Sequence, residues 1–115
     1  MRPTLLVVDD NPDIRDTLAI ALSNHGFRVT GAANGKAALE LLEAGLRPEM
    51  IILDLNMPEM SGWELLDVLA ARPDLSGIEV LVLSSTAVEG RHHLGKHSSL
   101  EVLIATVEAT LQRAA

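Results

Sequence analysis

Three aspartates stand where this chain could do chemistry. Asp9 and Asp10 follow the apolar run Leu5-Leu6-Val7-Val8, and Asp54 follows Met50-Ile51-Ile52-Leu53. If the two runs are strands of one parallel sheet, their acidic ends emerge on a single edge, the edge where open α/β sheets bind ligands. Two carboxylates about 5 Å apart repel by roughly 3 kcal/mol at an effective dielectric of 20, so three together ask for a cation. Oxygen-only ligands suit a hard ion. Mg2+ keeps several of its waters and needs only one or two carboxylates, which matches this set better than a calcium cage does. A lone Asp at a strand end is an ordinary turn residue; three on one edge are not.

The elements that must position these acids can be read from the hydrophobic pattern. Strands are predicted at Thr4 to Val8, Phe27 to Gly31, Met50 to Leu53 and Glu79 to Leu83. Three of the four are nearly continuous apolar runs, as expected where helices cover both faces of a parallel sheet. The second alternates Phe27, Val29 and Gly31 and belongs nearer an edge. Asn11-Pro12 starts a first helix, because Asn accepts from free backbone N–H groups and Pro suits the first helical position. Its predicted inner stripe is Ile14, Leu18, Ala21 and Leu22. Asn34 caps a second helix carrying Ala38, Leu41 and Leu42, with Gly45 placed for a left-handed exit. Ser61-x-x-Glu64 and Ser98-x-x-Glu101 are capping boxes that start two more helices, and Leu100, Leu103, Ile104, Val107 and Leu111 form the stripe of the last. Phe27 is assigned to the core, and Trp63 is expected to pack over the start of the third helix.

Composition narrows the function. At 115 residues one domain spanning residues 1–115 is expected, with no room for a second. Nine Lys plus Arg against 16 Asp plus Glu leave a net charge of 9 − 16 = −7, which repels phosphate backbones and anionic lipid surfaces. Neither nucleic acid nor membrane is therefore expected as a partner. No apolar run reaches the roughly 18 residues that a span requires, and the four apolar residues before Asp9 are too few for an export signal. The absence of cysteine removes disulfide and thiolate chemistry and accords with a cytoplasmic location. No G-x-G-x-x-G follows a strand, which sets dinucleotide binding aside.

Taken together, Leu5-Leu6-Val7-Val8-Asp9-Asp10-Asn11-Pro12, Ile51 to Gly62 with its Asp54-Leu55-Asn56-Met57-Pro58-Glu59-Met60-Ser61-Gly62 tail, and Val80-Leu81-Val82-Leu83-Ser84-Ser85 resemble the receiver domain of bacterial two-component response regulators. The likeness runs from about Thr4 to Ser85 and resumes over the last helix. It implies a flavodoxin-like open parallel sheet of strand order 2-1-3-4-5 with helices on both faces. It also implies that Asp54 accepts a phosphoryl group from a histidine kinase or a phosphotransfer protein, with Mg2+ held directly by Asp10 and Asp54, by the Asn56 backbone carbonyl, and by Asp9 through water. Ser84 matches the hydroxyl that binds a phosphoryl oxygen; on residue type alone it is equally a polar cap on a strand. Signalling would then proceed by phosphorylation-dependent binding of a downstream protein, with the chain a monomer or weak homodimer.

The resemblance breaks after Ser85. Only 12 positions separate Ser84 from Lys96, roughly ten fewer than receiver domains use for a fourth helix and fifth strand. The fourth helix is therefore expected to be missing or reduced to a turn. Lys96-His97 stands where the family has Lys-Pro, so Lys96 is either the cation beside the phosphoryl group or a solvated loop residue. His93 occupies the position of the family's inward-turning aromatic residue. His92, His93 and His97 would share a metal only if His93 and His97 lay on one helix; with Gly90 and Gly95 beside them they are read as a solvated loop. Two further readings stay open: an interaction module of the same fold whose switching has decayed, and a phosphatase of the haloacid dehalogenase type. The latter requires an Asp two positions after the nucleophile, where this chain has Asn56.

Overall fold

A computed structural model describes residues 3–54, 62–83, 92–94 and 100–114. In chain order its elements are β1 (Thr4–Val8), α1 (Pro12–Ser23), β2 (Arg28–Ala32), α2 (Gly35–Glu43), β3 (Met50–Asp54), α3 (Gly62–Ala71), β4 (Glu79–Leu83), β5 (His92–Leu94) and α4 (Leu100–Ala114). The five strands form one sheet of order β2-β1-β3-β4-β5, and every neighbouring pair is parallel. This is the flavodoxin-like arrangement. The chain leaves β1 toward β2 on one side while β3 lies on the other, so a crevice opens at the carboxyl ends of β1 and β3.

The period-2 alternation of the strands divides the core in two. Leu6, Val8, Ile51, Leu53, Val80 and Val82 pack on one face against Ala38 and Leu42 of α2 and Leu65, Leu66 and Leu69 of α3. Leu5, Val7, Met50, Ile52 and Leu81 pack on the other against Leu18 and Leu22 of α1, Phe27, and Leu103, Ile104 and Val107 of α4. Apolar surface on both faces is what makes β1, β3 and β4 read as unbroken hydrophobic runs. β2 lies at the sheet edge as expected, shifted one residue to Arg28–Ala32, with Phe27 buried just before it.

Local signals hold the helix ends. Asn11 caps α1, its side-chain oxygen accepting from the N–H groups of Asp13 and Ile14, with Pro12 in the first turn. Asn34 caps α2 by accepting from Ala37 N–H at 2.7 Å. Gly45 carries the left-handed exit at φ 110°, with its N–H on Leu42 O and the next N–H, of Leu46, on Leu41 O. α3 and α4 begin at Gly62 and Leu100, close to the two capping boxes, whose Ser61 and Ser98 lie outside the described residues.

Four expectations need correction. Ile14 and Leu100, assigned to inner stripes, are 45% and 40% exposed; each sits in the first turn of its helix, beyond the strand surface that buries the later turns. Trp63, expected to pack over the start of α3, keeps 51% of its surface exposed there. His92 and His93 belong to β5, paired with Leu81 and Val82, and not to a loop. β5 has only three residues, and four helices are present among the described residues. The expected loss of a helix after β4 falls on residues 84–91, outside the described residues.

Candidate functional site

The ladder between β1 and β2 ends at Val8 and Ala32, and the Asp9 N–H extends it by donating to Ala32 O at 3.1 Å. On the other side Val8 pairs with Leu53, so the same register sets Asp9 beside Asp54, the last residue of β3. Asp10 follows at the rim. The outcome is that Asp9, Asp10 and Asp54 each offer a carboxylate oxygen within 4.8 Å of the others. Asp9 and Asp54 are 4% and 2% exposed, whereas Asp10 faces solvent.

The turn after β1 is built by the same acids. Asp9 Oδ1 accepts from the Asn11 N–H at 2.9 Å, which folds the chain back over one residue and lets Asn11 begin α1. Arg15, one turn into α1, reaches back to donate from Nη1 to the Asp9 backbone carbonyl at 2.8 Å. Both Asn11 as a partner of Asp9 and Arg15 escaped the sequence reading. Asn11 was legible only as a cap, while the Arg15 contact depends on how α1 lies over the sheet.

At 4.8 Å and an effective dielectric of 20, each pair of ionised carboxylates carries a repulsion of roughly 3 kcal/mol. Three oxygens from three side chains, one of them open to water, are a donor set for a hard cation that keeps part of its hydration shell. The residues present therefore suit a divalent ion of the Mg2+ kind. Of the other predicted site residues, Asn56, Ser84 and Lys96 lie outside the described residues, as does His97. β4 ends on this edge, with Leu83 paired to Asp54. His93 is placed on β5 opposite Val82, the strand position predicted from the resemblance.

Fold and site define the class: a parallel five-stranded sheet with an acidic cluster at the carboxyl ends of its first and third strands. The model of the response regulator receiver domain matches residues 5–94, and the chain belongs to that family of signalling domains. Two-component response regulator ORR11 of Oryza sativa is 43% identical over 89 residues, covering 77% of this chain and 60% of the rice protein. Among solved structures, the signal receiver domain of a signal transduction histidine kinase from Syntrophus aciditrophicus superposes with a TM-score of 0.88 at 29% identity, over 96% of this chain and 90% of that one. The chemotaxis response regulator CheY4 of Vibrio cholerae covers 100% of both chains with a TM-score of 0.82 and 28% identity. The chain spans less than two thirds of the length of the curated relatives it matches, 64% and 60% for the first two. Among the described residues, no helix is long and apolar enough to cross a membrane.

Proposed function

We propose that residues 1–115 form one receiver domain in which Asp54 accepts a phosphoryl group from the phosphohistidine of a histidine kinase or phosphotransfer protein. The observation that carries this reading is the convergence of Asp9, Asp10 and Asp54 within 4.8 Å at the carboxyl edge of a receiver fold. An Asp54 carboxylate oxygen attacks phosphorus, the P–N bond to the donor imidazole breaks, and an acyl phosphate forms on Asp54. Asp10, Asp54 and the Asn56 carbonyl would hold Mg2+ directly and Asp9 through water; when bound, the ion supplies positive charge against the carboxylates and the incoming phosphoryl oxygens. Asp9 also holds the turn into α1 through Asn11, which keeps the pair of acids at the strand end. Ser84, as a hydroxyl partner of the phosphoryl group, and Lys96, as its cation, carry over from the resemblance.

On this reading the chain is a cytoplasmic phosphoacceptor that promotes only its own phosphorylation and dephosphorylation. It acts by binding a downstream protein in a phosphorylation-dependent way, without contacting nucleic acid. The family match supports it over the phosphatase alternative. In the test, parent and Asp54→Asn are incubated with acetyl phosphate and Mg2+ and the covalent phosphate is measured by intact mass. Labelling of the parent and none of the variant is expected; stoichiometric labelling of Asp54→Asn would refute the assignment. Labelling of the parent with no change in its amide spectra would favour the module with decayed switching.

A further inference from the structure

Arg15 and Gly31 meet across α1 and β2. A Cβ built on Gly31 would lie 3.1 Å from Arg15 Cδ and 3.3 Å from Arg15 Cγ, closer than side chains ordinarily pack. The glycine thus leaves a channel along which the arginine stem runs. At the end of that stem Nη1 donates to the Asp9 carbonyl at 2.8 Å. That carbonyl belongs to the peptide joining Asp9 to Asp10, so its orientation sets the direction in which both acids leave the backbone. The N–H of Asp9 is held by Ala32 and its Oδ1 by the Asn11 N–H. The arginine therefore holds the peptide that directly follows the Asp9 N–H bond to Ala32.

We infer that Arg15 is a positioning residue for the acidic cluster, acting through the Asp9–Asp10 peptide, and that position 31 is glycine to admit its side chain. The inference rests on the receiver reading and extends it to residues outside the ligand set. Two physical expectations separate it from simpler accounts. Charge alone would make Arg15 an opponent of a bound cation, so its removal would tighten Mg2+ binding. Strand propensity alone would make Gly31→Val a gain for β2, since Gly weakens a strand and β-branched residues favour it. Positioning predicts weaker Mg2+ binding in both variants.

The experiment titrates MgCl2 into the full chain by calorimetry, with amide shifts of Asp9, Asp10 and Asn11 followed in parallel and thermal unfolding recorded without divalent ions. Arg15→Met is expected to raise the Mg2+ Kd about tenfold, the low end of what partners behind metal ligands contribute. Gly31→Val is expected to raise it several-fold by displacing the stem, with no loss of thermal stability. The double variant should bind no more weakly than Arg15→Met, because the two changes break one contact. Unchanged or tighter binding by Arg15→Met, or losses that multiply in the double variant, would overturn the inference while leaving the receiver reading intact. A parent chain whose Asp9, Asp10 and Asn11 amides do not respond to Mg2+ would overturn the proposed Mg2+-dependent phosphoacceptor function, and this inference with it.

Discussion

At the carboxyl edge of the sheet, Asp9, Asp10 and Asp54 gather three charges of one sign within 4.8 Å, two of them almost fully buried. At the amino edge, in the segments leading into β3 and β4, charges of both signs interleave. Arg47 pairs with Asp74 at 3.2 Å, Arg72 with Asp74 at 3.1 Å, and Arg72 with Glu43 of α2 at 3.6 Å. Those side chains keep 38% to 55% of their surface in water. The amino-edge network is balanced by its own members and screened by solvent, so it ties α2 to the segment after α3 without needing a ligand. The acidic cluster is not balanced among its three members, and burial raises the cost of that imbalance. A fold can tolerate such a cluster when something outside it supplies the opposite charge at the moment of use.

The largest test of this contrast is the response to a divalent ion. At an Mg2+ concentration 100 times the Kd, binding to the folded chain alone stabilises it by about 2.7 kcal/mol, and a chelator should reverse the gain. Urea unfolding of the parent with MgCl2 or with chelator measures it directly. Asp54→Asn and Asp10→Asn should lose most of the gain; a parent whose midpoint ignores Mg2+ would mean that the carboxyl edge is balanced by protein groups alone.

A smaller effect of opposite sign is expected without the ion. Asp10→Asn removes one of three like charges and should be more stable than the parent in chelator at low salt. The gain is about 1 kcal/mol, reduced from the roughly 3 kcal/mol of a fully shielded pair because Asp10 faces water. Raising the salt should erase it. The stability curves of parent and variant should therefore cross as Mg2+ is added. If Asp10→Asn is no more stable than the parent under chelating, low-salt conditions, repulsion is not what the cluster stores.

How much of this was legible in the sequence follows from the range over which each feature is determined. The three acids could be placed on one edge because each ends an apolar run, and the sheet order then brings the ends of β1 and β3 together. Asn11, Asn34 and Gly45 were legible because capping is decided within a few residues. Ile14 and Leu100 were misplaced because helical periodicity names a face and not the point at which the sheet beneath it ends. β5 was implied by the resemblance but not legible in the hydrophobic pattern, because His92-His93-Leu94 has no strand pattern of its own and its strand character comes from pairing with β4. Arg47 and Asp74 lie 27 residues apart, and nothing local announces their pairing. Arg15 left one trace, a glycine inside a strand, which often marks a close approach by another part of the chain.

The smallest expected effect lies at the amino edge and follows from its protonation. The hydrogen bond from Arg72 is the main reason that the Asp74 carboxyl is held below its ordinary value of 3.8, with the charges of Arg72 and Arg47 adding to it. The same partnership raises the Arg72 guanidinium further above its ordinary value. A carboxyl whose pKa is lower in the folded chain than in the unfolded one stabilises folding above the unfolded value, and the contribution is lost as pH falls through the folded one. The Asp74 contribution is thus complete at neutral pH and disappears below 3.8. Asp74→Asn should shift the urea midpoint slightly downward at about pH 7, by an amount that shrinks as the pH falls below 3.8 and the parent's own carboxyl takes up its proton. Solvent exposure keeps the neutral-pH shift well below the Mg2+ effect at the other edge. A shift as large as that effect would mean that the amino-edge pairs are buried in solution and that the contrast between the two edges is one of sign alone.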